Sequence, residues 1–137
     1  MAGHGLNKRM RAVFTAETAV VMSVVLLSLM LIIFTGFYLH DLNILSGAAY
    51  ESAQAGAEWK RMDENRSVEG YFQQRISGKL LYFSGASCSV EESDTRVLVR
   101  ATAASGRMRM GTAAAAAVSE PEDKIRKLDM LKKTGGI

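Results

Sequence analysis

The segment TAVVMSVVLLSLMLIIFTGFYL, Thr18 to Leu39, decides how the rest of the chain is read. It contains no charged side chain and no proline. At roughly 1.5 Å per residue, a helix of this length extends about 33 Å, enough to cross a hydrocarbon core of about 30 Å. A soluble core helix would carry polar positions every third or fourth residue. Here only Ser23, Ser28 and Thr35 interrupt the apolar run, and each hydroxyl can bond back to a carbonyl of its own helix. The expectation is a single membrane span.

The flanks set its direction. Lys8, Arg9 and Arg11 precede the span, whereas Asp41, Glu51 and Glu58 follow it before the first lysine, Lys60. Basic residues stay on the cytoplasmic side, so the N-terminus is expected inside and the larger C-terminal part outside, with the protein in the cytoplasmic membrane. The formal charge of +3 on 137 residues is therefore a local feature. From Asp41 onward 14 basic side chains face 13 acidic ones, once Lys8, Arg9, Arg11 and Glu17 are set aside. No run or face collects the remaining positive charge, which argues against nucleic acid as a partner. An ordinary secretory signal would have a shorter apolar core and a cleavage site close behind it. The first tempting site, Ala53-Gln54-Ala55, lies well beyond the run.

The residues immediately before the span carry a more specific pattern. A basic leader ends at Arg11-Ala12, and Val13-Phe14-Thr15-Ala16-Glu17 leads directly into the apolar run. This arrangement resembles the N-terminus of type IV pilin-like proteins. The stretch Ala12 to Val21 most resembles the TadE/TadG group of tight-adherence (Flp-type) pilus pseudopilins, with Ala12 where glycine is more usual. The resemblance covers residues 8–40. It implies that a prepilin peptidase cuts between Ala12 and Val13, leaving Glu17 fifth in the mature chain. It also implies that Glu17 pairs with the new Val13 amine of the same or a neighbouring subunit, which would set axial register in an assembly. A carboxylate at the membrane rim costs less than one at its centre, and the plain alternative is that Glu17 snorkels to the headgroups. Cleavage would remove the three basic residues and bring the formal charge from +3 to 0.

Helical spacing continues past the span. Leu42, Leu45, Ala49 and Ala53 recur at three- or four-residue steps, while Asp41, Glu51, Gln54 and Glu58 supply polar positions. One helix is expected from Val13 to Trp59, its second half rich in Ala, Ser and Gly and open to close approach by another helix. Ala19, Ser23 and Gly36 offer such packing positions inside the span. Lys60 to Ser67 reads as a loop. Ser67 is a candidate N-cap for a helix in which Val68, Phe72, Ile76 and Leu80 recur. The period then changes to two: Ala86, Cys88 and Val90 alternate with serines, and Val97, Val99, Ala101 and Ala103 alternate with Arg96, Leu98, Arg100 and Thr102. Three antiparallel strands are expected near 86–91, 95–104 and 107–115, turning at Ser105-Gly106. Ala113 to Ala117 is open between strand and helix. Ser119, Glu120, Pro121, Glu122 and Asp123 form a helix start, with Lys132 and Lys133 suited to its C-terminal end.

The expected architecture is α+β. A basic leader (1–12) precedes a long N-terminal helix (13–59) that combines the span (18–39) with an amphipathic extension. A small exported head (60–137) of helix, three-stranded antiparallel sheet and C-terminal helix follows. So small a head is marginal alone and would need the upper half of the long helix or neighbouring subunits to cover its sheet.

Chemistry is sparse. His4 and His40 fall on opposite sides of the bilayer, and a single Cys88 supports neither an internal disulfide nor a zinc pair. Cys88 reads as a half-buried small hydrophobe, with an intermolecular bridge or lipid attachment as alternatives. His40-Asp41 reads as a solvated juxtamembrane dipeptide, and Glu91, Glu92 and Asp94 lack calcium-loop spacing. No catalytic residue, metal site, cofactor or small-molecule substrate is expected. The resemblance implies a structural, pseudopilin-like minor subunit whose partners are the lipid bilayer, prepilin peptidase and other pilins. The alternative is an uncleaved single-pass membrane protein with an exported partner-binding domain.

Overall fold

The computed structural model describes residues 3–119 and 121–135, with side chains described at Met10, 13–119 and 122–135. Glu120, counted above in the start of the last helix, lies outside the described residues. In order, the elements are α1 (Gly3–Arg61), α2 (Val68–Ile76), β1 (Gly85–Ser93), β2 (Arg96–Ser105), β3 (Met108–Ala117) and α3 (Pro121–Gly135). The fold is α+β: a long N-terminal helix, a three-stranded antiparallel sheet and a C-terminal helix. The chain divides into two compact units, Met1–Leu39 and His40–Ile137.

The first unit is helix alone. α1 is long and apolar enough near the N-terminus to cross a membrane, and none of its most apolar window is buried by the protein. Leu26, Leu31 and Ile32 are each more than half exposed. The hydroxyls are satisfied within the helix: Ser23 donates to Ala19 O at 2.9 Å, Ser28 to Val24 O at 2.8 Å and Thr35 to Leu31 O at 2.8 Å. The helix surface therefore presents no unpaired side-chain hydroxyl at these three positions, as a hydrocarbon surrounding would require.

In the second unit the sheet runs β1-β2-β3 in sequence order. The alternation of β2 is carried into burial: Val97, Val99, Ala101 and Ala103 are buried, while Arg96, Arg100 and Thr102 are exposed. Register places Cys88 and Thr112 beside Ala101, Val90 and Ala114 beside Val99, and Ala116 beside Val97, all on this inner face. The opposite face is polar on β1 and β2, where Ser87 bonds Thr102 at 3.1 Å and Arg100 pairs with Glu91 at 3.4 Å. Ala113 to Ala117 is strand. It pairs along β2, so tertiary pairing overrides alanine's local preference. The β2–β3 loop is Gly106-Arg107, with Gly106 at φ +59°. A positive φ at the first central residue is what a two-residue type II′ hairpin requires, and glycine meets it without strain.

The inner face is covered by α2 and by the second half of α1. Asp41, Leu45, Ala48, Ala49, Ser52, Ala53 and Ala57 form the buried stripe of α1, joined by Phe72, Ile76 and Phe83. Phe72 and Phe83 are fully buried, each worth about 1.5–3 kcal/mol of transfer from water. Gly56 marks a close approach: a Cβ there would lie 2.9 Å from Val68 Cγ2 and 3.2 Å from Val97 Cγ1. The small-residue stripe beyond the span thus admits close approach by α2 and the sheet within the chain's own core. Two tethers close the unit. Lys60 Nζ donates to Ser93 O at 2.8 Å, and Gln73 Nε2 to Ala86 O at 3.1 Å.

Boundaries shift in several places. α1 begins at Gly3, not Val13, and runs two residues past Trp59, so Lys60 and Arg61 belong to it rather than to the loop. Ser67 caps α2 as expected, its hydroxyl accepting from Gly70 N at 3.1 Å. α2 stops at Ile76, so Leu80 lies outside the helix. Gly78 at φ +71° shortly after α2 cannot extend it.

Candidate functional site

The residues singled out in the N-terminal helix are placed as follows. Ala12 and Val13 are consecutive residues inside α1. Val13 and Glu17 are one turn apart and both exposed. A helical side chain leans toward the N-terminus, and four residues rise only about 6 Å. Glu17 is therefore within reach of an amine generated at Val13 in the same chain. At about 100° per residue, Ala19 and Ser23 share a face, Glu17 lies on nearly the opposite one, and Gly36 is displaced from Ala19 by about a quarter-turn or more. The helix thus brings Ala19 and Ser23 together and leaves Gly36 on its own side. Nothing lies within 4 Å of a Cβ built at Gly36, so its bare backbone is open to a neighbouring surface. The side chains of Lys8, Arg9, Arg11, Ala12 and His4 are outside the described residues.

Where α1 enters the second unit, the structure overturns the reading of Asp41 as solvated. Asp41 is fully buried. Its Oδ1 accepts from Leu81 N at 2.8 Å, and its Oδ2 accepts from Tyr82 N at 2.8 Å and Phe83 N at 2.9 Å. Burial alone would raise the carboxyl's pKa. The three backbone N–H groups and the neighbouring His40 outweigh it, so Asp41 stays below the ordinary value of 3.8. The carboxylate does for this irregular segment what a cap does for a helix end, satisfying consecutive backbone donors that no strand or helix can pair. It ties the 81–83 segment to the first turn of α1 beyond Leu39 and seats Phe83 in the core. Neighbouring His40 is exposed. The available signal was spacing: Asp41 stands four residues before Leu45, on the same helical face, and a carboxylate on a buried stripe needs several donors.

Around the far end of α1, Trp59 packs edge-on against Tyr71 at a 5.6 Å ring separation, with the Arg66 guanidinium 5.7 Å from the Trp59 ring. Arg75 pairs with Glu51, locking α2 to α1. Tyr71, Arg75 and Glu51, with Tyr50, Gln54 and Arg61, line an open surface cleft. Its charges are engaged with one another or with solvent. Glu91 pairs with Arg100, and the exposed Asp94 lies 3.8 Å from Lys60; exposed pairs of this kind contribute little to stability. Cys88 is half-buried on the inner face, where burial and, secondarily, Glu69 push its thiol pKa up. Met110 is buried as strand packing, whereas Met108 is exposed and accepts from the Tyr82 hydroxyl at 3.8 Å. No family model, curated protein or solved structure matches this chain.

Proposed function

We propose that this chain is a structural, pseudopilin-like minor subunit of a tight-adherence (Flp-type) pilus or a related envelope-spanning apparatus. In this reading a prepilin peptidase cuts between Ala12 and Val13, and the apolar helix stores the subunit in the cytoplasmic membrane with the C-terminal unit outside. The observation that carries it is the character of α1. Its first half is uncovered hydrocarbon surface beginning right after Glu17, and its second half is committed to a folded α+β unit. A subunit built this way can exchange lipid for neighbouring helices along the first half without disturbing the second. Ala19, Ser23 and Gly36 permit close approach, and Glu17 paired with the Val13 amine sets the register. The role is mechanical rather than catalytic.

The test is the intact mass and N-terminal sequence of the chain purified from membranes of cells with an active prepilin peptidase. A chain beginning at Val13 is expected. A chain retaining Ala12 and the basic leader refutes processing. One observation favours the second reading, an uncleaved single-pass protein with an outer partner-binding unit: α1 is helical through Ala12 and Val13, whereas proteolysis requires that junction to open.

A further inference from the structure

α3 is the element that the rest of the fold does not use. Every described side chain from Glu122 to Gly135 is exposed, including Ile125, Leu128 and Leu131 at 59%, 58% and 69%. A helix that left these three in water would gain nothing from tertiary packing, the usual source of helical stability. Their arrangement is ordered. At about 100° per residue, the three side chains occupy one arc of about 120°. Lys124 and Lys132 fall within that arc and Lys127 borders it. Asp129 borders the opposite edge, by the same angle as Lys127, and Glu122 and Asp123 lie farther round with Arg126 and Lys133. Met130 is the one large apolar residue described on that acidic side.

This segregation identifies the occupant by charge. A protein groove made for Ile125, Leu128 and Leu131 would have to desolvate the lysines among them, at considerable cost. At a lipid interface the same lysines extend their stems along the apolar stripe and raise their ammonium groups to phosphates. Asp123, nearly opposite the stripe, and Glu122 stay on the water side, and the three lysines outnumber the one acid, Asp129, at the stripe's edge. We infer that α3 is an interfacial helix that lies on an anionic lipid headgroup surface, with Ile125, Leu128 and Leu131 inserted and Lys124, Lys127 and Lys132 on the headgroups. Such a contact tethers the C-terminal unit to a headgroup surface and must be released for the unit to leave it. The inference needs a membrane, which the apolar helix calls for, but neither cleavage at Ala12 nor filament assembly. Failure of the pilin reading leaves it standing.

The experiment uses the full chain carrying Cys88→Ala, with a nitroxide label on Leu128→Cys or, separately, on Asp123→Cys. Each protein is reconstituted into vesicles of phosphatidylcholine alone or with about a third phosphatidylglycerol. Accessibility to oxygen and to a water-soluble nickel chelate is then read. In anionic vesicles the label at 128 should be oxygen-accessible and shielded from nickel, and the label at 123 should remain open to nickel. Lysines near an anionic surface each strengthen association about fivefold, so the triple variant Lys124→Glu, Lys127→Glu, Lys132→Glu should lower the docked-to-free ratio by at least on the order of a hundredfold. Equal nickel accessibility at 128 and 123 in anionic vesicles overturns the inference. So does shielding at 128 that persists in neutral vesicles and in the triple variant, because that outcome means α3 docks on protein.

Discussion

Removing the Asp41 carboxylate tests how the second unit is built. Asp41→Ala leaves Leu81, Tyr82 and Phe83 N–H without their acceptor. Hydrogen bonds to a charged group contribute about 1.5–3 kcal/mol each, and a buried donor left unpaired costs about 1–3 kcal/mol. The bonds from Leu81 and Tyr82 are only partly buried, so water can replace them in part, whereas the Phe83 bond is buried. Recovering the carboxylate's own desolvation offsets some of the loss. The net cost is about 3 kcal/mol for Asp41→Ala and about 2 kcal/mol for Asp41→Asn, in which the amide oxygen can serve two of the donors while the NH₂ opposes the third. With a urea slope of roughly 1.5 kcal/mol/M, Asp41→Ala should lower the midpoint by about 2 M. The assay is urea unfolding of the full chain in detergent micelles, followed by Trp59 fluorescence. Trp59 reports on this unit because it packs against Tyr71 and Arg66. The same carboxylate predicts a pH dependence. Its folded pKa lies below the ordinary 3.8, so its contribution is fully present above the unfolded value and is lost as pH falls through the folded one. The wild-type chain should therefore lose stability below about pH 4, and Asp41→Asn should lack that component. Midpoints of Asp41→Ala and Asp41→Asn indistinguishable from wild type would refute the anchoring role.

Gly56→Ala should destabilise the chain by about 1–2 kcal/mol despite alanine's helix preference, because Val68 and Val97 are stiff at χ1 and cannot swing away from the added methyl. The double variant with Val68→Ala should cost less than the two changes summed, and urea midpoints decide whether it does. Cys88 should react with a thiol-specific disulfide reagent more slowly in the folded chain than in urea at pH 8, since burial and Glu69 hold the thiol protonated; equal rates would place it in open solvent. If the proposed pseudopilin role holds, Glu17→Ala should leave membrane insertion intact while reducing incorporation into an assembly, measured by pull-down with pilin subunits. Unchanged incorporation removes the register role.

Much of this architecture was legible because its signals are local. An apolar run of 22 residues makes a helix long and apolar enough to cross a membrane without reference to the rest of the chain. The alternation in β2 and the Ser67 cap are likewise short-range patterns, and both reappear in the structure at those residues. Legibility fails where a residue's role depends on a partner far along the chain. Asp41 looked like an ordinary flanking acid because its three donors lie 40 to 42 residues away. The Ala-rich stripe of α1 left its partner open among another helix, the sheet and a neighbouring subunit, because only the packed fold brings β2 and α2 against Gly56. The polyalanine of β3 carries almost no side-chain information, and its state follows from pairing with β2.

The sequence by itself determined that one long apolar helix leads the chain and that an α+β unit follows. Both rest on periodicity and transfer free energy, which are additive along a segment. Only the tertiary structure decided that the second half of that helix is part of the unit's core. It also decided that Asp41 is the anchor where the helix joins that core. A buried carboxylate is tolerable only when donors from elsewhere converge on it, and convergence is a property of the folded chain rather than of any segment of it.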